Sequence, residues 1–468
     1  MAGKIKKGFA TYLLVLVIAL VAAFLICVTV MLFSPFHNIM GLHYFYYDDE
    51  VYEYNVTDED SDAILDFSTL EEIKINCSYA KVTVERYTMV DNHAVKITNK
   101  AKGFARANQE SSFSYNVSFE DAGKTILNVE VNEPDGFLYF SKEVVVSILV
   151  PTTAGAYDLE NTKIDITNTT GSIYIGNRDE LTTQGDNEID VNSLSVKTNS
   201  GRIMIYPVIE KSFDNVFVKT RKSDIDFATD IVVENSLQVY AKAGNISFKG
   251  IENKTPAIID IANAKFSSEK IVGKTNLLMK SGYFKTNQLQ GDLISNDSNS
   301  QMVKASIKID EITGVVSLPF LNGSNLKIKK ANAGSQIYAQ TTSGSVNIDE
   351  TYGKTYIKTT SGSVNVHTFA DDIEVVTTSG DISVIYENST IANQLDFATT
   401  SGVVNLEIKS DLAFVLVVYD LQYELRQDGV NIEWIEGDFT NPLTVHGGTK
   451  KIQVVSNSDV NISLLDVA

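Results

Sequence analysis

The chain repeats one short phrase four times in its last third. The copies read TTSGSVNI, TTSGSVNV, TTSGDISV and TTSGVVNL, and their glycines are Gly344, Gly362, Gly380 and Gly402. Successive glycines are 18, 18 and 22 residues apart. A unit this short cannot bury its own apolar face, so it is stable only when copies stack and share an interior. The repeat therefore predicts an elongated array of similar units.

Residues within each copy alternate between apolar and polar with a period of two. Apolar residues stand two and four places after each glycine, as Val346 and Ile348 do after the first. The place between them is polar in every copy and is filled by Asn347, Asn365, Ser383 and Asn405. Because successive side chains of a strand point to opposite faces, the pattern predicts buried columns and an outward ladder. That outward ladder is the candidate binding surface.

The residues before each glycine alternate in the same way. Each copy is therefore predicted to hold two short strands around a Ser-Gly corner. We expect the glycine to adopt the positive φ of a tight bend, and Ser or Thr hydroxyls to bind the amides of the turn. One copy then makes one coil of a parallel β-helix, and a right-handed coil is the default by analogy with other β-helices.

Weaker copies extend the array in both directions. Further corners are predicted at Gly171, Gly201, Gly244 and Gly282, with Asp224, Gly334 and Ser458 in the glycine place of three more copies. The predicted fold is all-β, a β-solenoid over residues 156–468 with a C-terminal cap that contains Trp434. Residues 65–155, where alternating runs end at Asn, Asp, Gly and Pro clusters, are predicted to form an N-terminal β-sheet cap.

The N-terminal segment has a different character. Residues 8–33 contain no charged side chain, and at 1.5 Å per residue they exceed the roughly 30 Å of a hydrocarbon core. They are predicted to form one transmembrane α-helix in the lipid bilayer, and a cleaved signal peptide is the alternative. Lysines precede this segment and acidic residues follow it, so residues 1–7 are expected in the cytoplasm and the bulk of the chain outside the cell. Residues 34–64 are predicted to be a juxtamembrane stalk.

Charge and cysteine usage exclude several classes of function. The formal net charge of −20 argues against nucleic acid as a partner, because phosphate binding needs clustered Lys and Arg. Cys77 is the one cysteine outside the apolar N-terminal segment. It can therefore form neither an intramolecular disulfide nor a cysteine-based metal site there. No cofactor is predicted.

Three features in this order resemble the bacterial putative adhesin family, a domain family of unknown function found in membrane and exported proteins. They are the opening IKINCSYAKVTVE, the strand VSILVP that ends at Pro151, and the T-x-S-G units. The resemblance covers roughly residues 65–465. It implies a β-solenoid ectodomain and no established catalytic residues.

The sequence thus predicts a non-enzymatic surface module with a binding, adhesin-like or structural role. Its expected partner is a cell-wall polymer, a glycan or another surface protein. A sensory ectodomain acting through a membrane partner is the first alternative, and a carbohydrate-active β-helix enzyme is the second. The acids of such an enzyme would be Asp371, Asp372 and Asp381, but no acidic column recurs across the repeats. His367 and His446 are interpreted as surface loop residues.

Overall fold

The fold is an N-terminal helix followed by strands that stack into a long array of coils. A computed structural model describes residues 2–33, 38–39, 42–55, 67–87, 93–106, 113–121, 125–132, 138–151, 159, 161–176, 190–206, 211–295, 302–369, 372–388, 394–409, 411–419, 443–445, 449–458 and 460–465. The array runs from the strands near residue 72 to the last described strand.

Helix α1 spans Ala2–Phe33. Its described side chains include large apolar residues that are exposed, from Leu16 at 47% to Tyr12 at 70%. Within the described part of the chain, no helix reaches the length and hydropathy that define a candidate membrane span.

The strands of the N-terminal third are β1 (Asn38–Ile39), β2 (Leu42–Asn55), β3 (Glu72–Tyr79), β4 (Lys81–Tyr87), β5 (His93–Arg106), β6 (Ser114–Asp121), β7 (Thr125–Asn132), β8 (Leu138–Pro151), β9 (Lys163–Thr170) and β10 (Ile173–Ile175), with a 3-10 turn at Phe67–Thr69. The central strands are β11 (Ser193–Ile205), β12 (Lys211–Asn253), β13 (Ala257–Val272), β14 (Thr275–Gln290), β15 (Leu293–Ile294), β16 (Ala305–Thr313), β17 (Val315–Leu321) and β18 (Asn325–Ala331). The remaining strands are β19 (Gln336–Thr341), β20 (Val346–Thr351), β21 (Lys354–Thr359), β22 (Val364–Thr368), β23 (Asp372–Val376), β24 (Ile382–Tyr386), β25 (Gln394–Thr399), β26 (Val404–Lys409), β27 (Phe414–Tyr419), β28 (Leu443–Val445), β29 (Lys451–Ser456) and β30 (Val460–Leu465).

Successive coils pair in parallel, as the repeat predicted. We call the strands before each Ser-Gly corner the pre-corner sheet, which includes β19, β21, β23 and β25, and those after it the post-corner sheet, which includes β20, β22, β24 and β26. In the post-corner sheet Val346 pairs with Val364, which pairs with Ile382, which pairs with Val404. The predicted register of the four copies is therefore confirmed.

The inward columns form one continuous core along the array. The column through Val346 begins at Val146 and continues through buried residues of every coil up to it: Val82, Ile173, Ile203, Ile225, Ile246, Phe266, Phe284, Ile307 and Leu326. Where it holds phenylalanine, neighbouring rings stack, and the ring centroids of Phe266 and Phe284 lie 5.1 Å apart at an interplanar angle of 6°. Burial of these columns is the main source of stability in each coil.

The predicted corner glycines lie in one ladder at the turn between the two sheets. A Cβ atom added at Gly362 would lie 1.9 Å from the carbonyl oxygen of Gly344, and one at Gly380 would lie 2.1 Å from that of Gly362. Gly171, Gly201, Gly244, Gly282, Gly344 and Gly402 have equally close backbone neighbours. Glycine is required here because consecutive coils approach more closely than a side chain allows.

The predicted reason for these glycines is correct only in the upstream coils. Positive φ occurs at Gly171, Gly201, Gly244 and Gly282, with values from 114° to 133°. It does not occur at Gly344, Gly362, Gly380 or Gly402. In the four most regular copies, the close approach alone therefore selects glycine.

Threonine side chains hold these corners, as predicted. The N–H of Gly344 donates to Oγ1 of Thr341 at 3.0 Å, and the N–H of Gly362 donates to Oγ1 of Thr359 at 2.9 Å. The same bond recurs from Gly380 to Thr377 and from Gly402 to Thr399. The first Thr and the Gly of the phrase thus form one hydrogen-bonded unit, which satisfies a buried amide in every copy.

Two of the weaker copies were aligned wrongly. Ser223, not Asp224, pairs with Gly201 and lies beneath Gly244, so Ser223 has the glycine place of its coil. Gly334 lies between β18 and β19, at the opposite corner, and a Cβ added there would meet no atom within 4 Å. Both errors arose because a local motif does not reveal which residue of the next coil lies above it.

A second glycine ladder runs along that opposite corner and was not predicted. A Cβ on Gly291 would lie 2.2 Å from the carbonyl oxygen of Gly273, and one on Gly314 would lie 2.2 Å from that of Gly291. All three glycines have positive φ. The recurrence of Gly about nine residues after the first corner was the available signal.

The segment predicted as a cap contributes coils of its own. Strands β3 and β4 pair in parallel with β9 and β10 on one side and with β7 and β8 on the other. The antiparallel strands β6 and β5 then cover the outer edges of β7 and β8. Residues 72–87 are therefore sandwiched between two segments that follow them in the chain.

Part of the predicted stalk is a strand. Strand β2 pairs antiparallel with β5 from Leu42 to Asn55, which differs from the prediction of a stalk over residues 34–64. The alternating residues of β2 explain this, because Phe45 is buried against Ala101 and Ala105.

At the C-terminal end of the array, β29 and β30 pair with β25 and β26, and β27 lies beyond β29. Trp434 of the predicted C-terminal cap lies outside the described residues.

Candidate functional site

The predicted outward ladder lies on the outer surface of the post-corner sheet. Asn347, Asn365, Ser383 and Asn405 occupy consecutive register positions on β20, β22, β24 and β26. The Asn365 amide nitrogen donates to Oδ1 of Asn347 at 2.7 Å, and the Asn405 amide lies 3.4 Å from Oγ of Ser383. The structure thus brings all four predicted residues together in one row.

The ladder has a fifth member. Asn461 pairs with Asn405 in register, and its amide nitrogen donates to Oδ1 of Asn405 at 2.9 Å. The sequence signal was the VNI at 460–462, which repeats the VNI at 346–348, although Asn405 and Asn461 are 56 residues apart in the chain.

A shallow groove of about 720 Å³ runs along this row. A second row of outward side chains borders it, two places further along each strand: Asp349, His367, Ile385, Glu407 and Ser463. His367 is therefore on a strand at the groove and not in a loop, and its Nε2 lies 3.4 Å from a carboxylate oxygen of Glu387. The groove presents amide donors and acceptors once per coil, at a spacing of about 4.8 Å.

The corner edge beside the ladder is polar and exposed. Thr342, Thr360, Thr378 and Thr400 form it. The adjacent serine hydroxyls bind backbone, since Oγ of Ser361 donates to the Thr342 carbonyl at 3.1 Å and Oγ of Ser379 to that of Thr360 at 3.2 Å. The serines of the phrase therefore stabilise the stacking of the corners. The second threonine of each phrase, which follows the buried threonine and precedes the serine, faces outward.

One family model matches this part of the chain. Residues 279–419 match the family described as Toastrack DUF4097. The predicted resemblance to the putative adhesin family is confirmed over residues 279–419. The matched Toastrack segment contains Asn347, Asn365, Ser383 and Asn405, and the coils continue beyond it in both directions with the same pairing.

Three solved structures are also similar to the chain. A "putative cell adhesion protein" from Clostridium sporogenes is 7% identical, with a TM-score of 0.15, and the match covers 90% of this chain and 100% of that one. Two "putative adhesin" structures, from Parabacteroides distasonis and Parabacteroides merdae, are each 10% identical, with TM-scores of 0.14 and 0.13; the matches cover 78% and 79% of this chain and 96% of each of theirs. Scores this low do not establish a shared fold. No curated protein matches the chain in sequence.

The acidic candidates of the Toastrack segment have structural contacts. The carboxylate of Asp372 lies 2.8 Å from the ammonium of Lys354, and this hydrogen bond raises the pKa of Lys354. Oδ1 of Asp381 accepts the N–H of Val403 at 2.9 Å in the next coil. Asp371 and His446 lie outside the described residues. Within the part of the chain that the structure describes, no three His, Cys, Asp or Glu side chains come together as a metal site.

Cys77 lies in the core upstream of the Toastrack segment. Its side chain is 4% exposed on β3, and burial raises the pKa of the thiol to about 12. A thiol that stays protonated near neutral pH is a poor nucleophile. Cys77 therefore acts as a small apolar residue of the first coils.

Proposed function

We propose that this protein is a non-enzymatic surface module whose groove binds a neutral, hydroxyl-rich polymer such as a cell-wall glycan. The observation that carries the proposal is the row of amide and hydroxyl groups from Asn347 to Asn461 along the groove. A polymer with hydroxyls at regular intervals can hydrogen-bond to several members of such a row at once. Glu407 beside the groove repels anions and so favours a neutral ligand, whereas the charge of Asp349 is offset by Lys327 at 3.1 Å.

Binding to the groove is testable with the full chain in nanodiscs and, as the probe, peptidoglycan sacculi from which phosphate-containing polymers have been removed. We expect saturable binding, and we expect Asn365→Leu combined with Asn405→Leu to weaken it about tenfold. The reason is that each lost hydrogen bond contributes about 0.5 to 1.5 kcal/mol, and 1.4 kcal/mol corresponds to a factor of ten. Pelleting the sacculi at increasing protein concentration measures the affinity.

The matched control places the same change on the opposite sheet. Asn215 and Asn276 are polar residues of pre-corner strands, and Asn215→Leu with Asn276→Leu adds the same apolar surface away from the groove. This control should bind like the wild type. An equal loss in both double variants, or no saturable binding by the wild type, contradicts the proposal.

We also propose that residues 8–33 anchor the module in the membrane, with the strands outside the cell. The support is the exposed apolar surface of α1 from Tyr12 to Ile26, preceded by Lys4, Lys6 and Lys7. Deletion of residues 2–33 should move the protein from the membrane fraction to the soluble or secreted fraction, as followed by fractionation and immunoblotting. If the full-length chain is extracted from membranes by alkaline carbonate, it is not an integral anchor.

A further inference from the structure

A second groove, in upstream coils, has the opposite electrostatic character. Lys197, Lys219, Arg221 and Lys242 line it together, and its volume is about 370 Å³. Thr167, Thr169 and Asn199 supply neutral polar groups to the same groove. Lys219, Arg221 and Lys242 are exposed, in a chain whose formal net charge is −20. The composition of this acidic chain does not explain a local excess of cations.

Stacking brings these cations together. Lys197 on β11 pairs with Lys219 on β12 in register. Arg221 and Lys242 each stand two places before the small residue of their corner, Ser223 and Gly244. In the four regular copies that corner place is threonine. The coil therefore does not require a cation there. The upstream coils differ from the regular ones at an outward position where packing does not restrict the side chain.

Three of the four cations are also uncompensated, in contrast to three lysines further along the array. Lys329 lies 3.0 Å from Asp310, Lys354 lies 2.8 Å from Asp372, and Lys327 lies 3.1 Å from Asp349. By contrast, Lys219, Arg221 and Lys242 form no ion pair with any residue that the structure describes. Lys197 alone approaches a carboxylate, that of Asp165 at 3.5 Å. Like charges on neighbouring strands are destabilising, so the cluster has an energetic cost within the fold.

We propose that this cationic groove binds an extended polyanion that carries phosphate groups. The guanidinium of Arg221 can donate two parallel hydrogen bonds to phosphate oxygens, and the lysines supply point charges on either side. The cations form rows along the stacking direction instead of converging on one point, which fits a linear polymer better than a single small anion. A groove receives a chain, whereas a bilayer surface requires a flat or convex patch. This site lies apart from the asparagine groove and does not depend on the glycan proposal.

The test uses the full chain in phosphatidylcholine nanodiscs and linear inorganic polyphosphate as the probe. We expect Lys219→Gln, Arg221→Gln and Lys242→Gln together to lower the affinity at least tenfold at low salt. Each phosphate contact releases counterions when it forms. The loss of three contacts should therefore make the slope of log affinity against log salt shallower by about 2. Titration at several salt concentrations measures both quantities.

The control variant removes three lysines that have carboxylate partners: Lys327→Gln, Lys329→Gln and Lys354→Gln. It changes the net charge by the same amount and should keep the affinity within about twofold. The proposal is overturned if the wild type does not bind polyphosphate, if the cationic-groove variant binds like the wild type, or if the control loses as much. Binding to phosphatidylglycerol vesicles without binding to polyphosphate also overturns it, in favour of a lipid surface. Binding to the phosphate-free sacculi, measured in parallel, reports on the asparagine groove separately.

Discussion

Replacement of Phe266 by alanine is expected to lower the free energy of unfolding by about 3 to 5 kcal/mol. Phe266 is fully buried, its ring stacks on Phe284 at 5.1 Å, and that of Phe248 lies 5.8 Å away. The substitution loses the free energy gained when the phenyl ring is transferred out of water, and it leaves a cavity. The cavity does not collapse, because the coils above and below hold the backbone at its spacing. Chemical denaturation followed by circular dichroism measures the change.

The chain offers a matched control for this variant on its outer surface. Tyr338 and Tyr356 also stack between neighbouring coils, with centroids 5.0 Å apart and an interplanar angle of 3°. Tyr338 is 36% exposed, however, and its removal leaves no enclosed cavity. Tyr338→Ala should therefore cost about 1 kcal/mol or less. Equal costs for the two variants would show that ring stacking, and not burial, stabilises these columns.

Replacement of Gly362 by alanine is expected to cost about 3 kcal/mol or more, the upper range for overpacking. The added Cβ would lie 1.9 Å from the carbonyl oxygen of Gly344 and 2.9 Å from Oγ1 of Thr359. The closest obstacle is backbone, so no side-chain rotation relieves it. The coils must separate locally, which weakens their parallel hydrogen bonds. A lower denaturation midpoint and faster amide exchange near residues 341–364 would report this separation.

Gly334→Ala is the control that isolates the backbone preference of glycine. Gly334 has a φ of 84° and open space around its missing Cβ, so this variant should cost only the roughly 1 to 2 kcal/mol of a left-handed residue. Gly362 does not have positive φ, so its cost is steric. If Gly334→Ala destabilises the protein more than Gly362→Ala, close approach is not what selects glycine at the corner.

The coil and its register could be predicted from the sequence because the same local pattern recurs in each copy. Val346 and Val364 have the same neighbours, the same distance to a glycine and the same alternation, so their pairing follows from the repeat. The sequence does not fix the upstream register, because the distance between corners varies there and the motif fits both Ser223 and Asp224. Alternation defines which face of a strand is buried. It does not define which segment lies beside it.

The two grooves differ in how far the sequence reveals them. The row of Asn347, Asn365, Ser383 and Asn405 was visible because it repeats with the buried valines. The cationic groove was not, since outward positions such as Arg221 and Lys242 are free to vary and their proximity appears only after the coils are stacked. Strand β2 was missed for a related reason: its partner β5 is distant in the chain, and its tyrosines also suit a membrane interface.

The order of coils at the two ends of the array has a consequence for how the chain matures. Residues 72–87 leave the ribosome before both of their neighbours, so they stay unpaired until residues 125–175 have been synthesised. At the other end, β29 and β30 enter beside β25 and β26 although β27 precedes them in the chain. A nascent chain that is cut short after residue 419 therefore lacks the strands that join β27 to the rest. Strands β25, β26 and β27 thus gain these partners only when translation has passed residue 465, and shorter products carry unpaired strand edges.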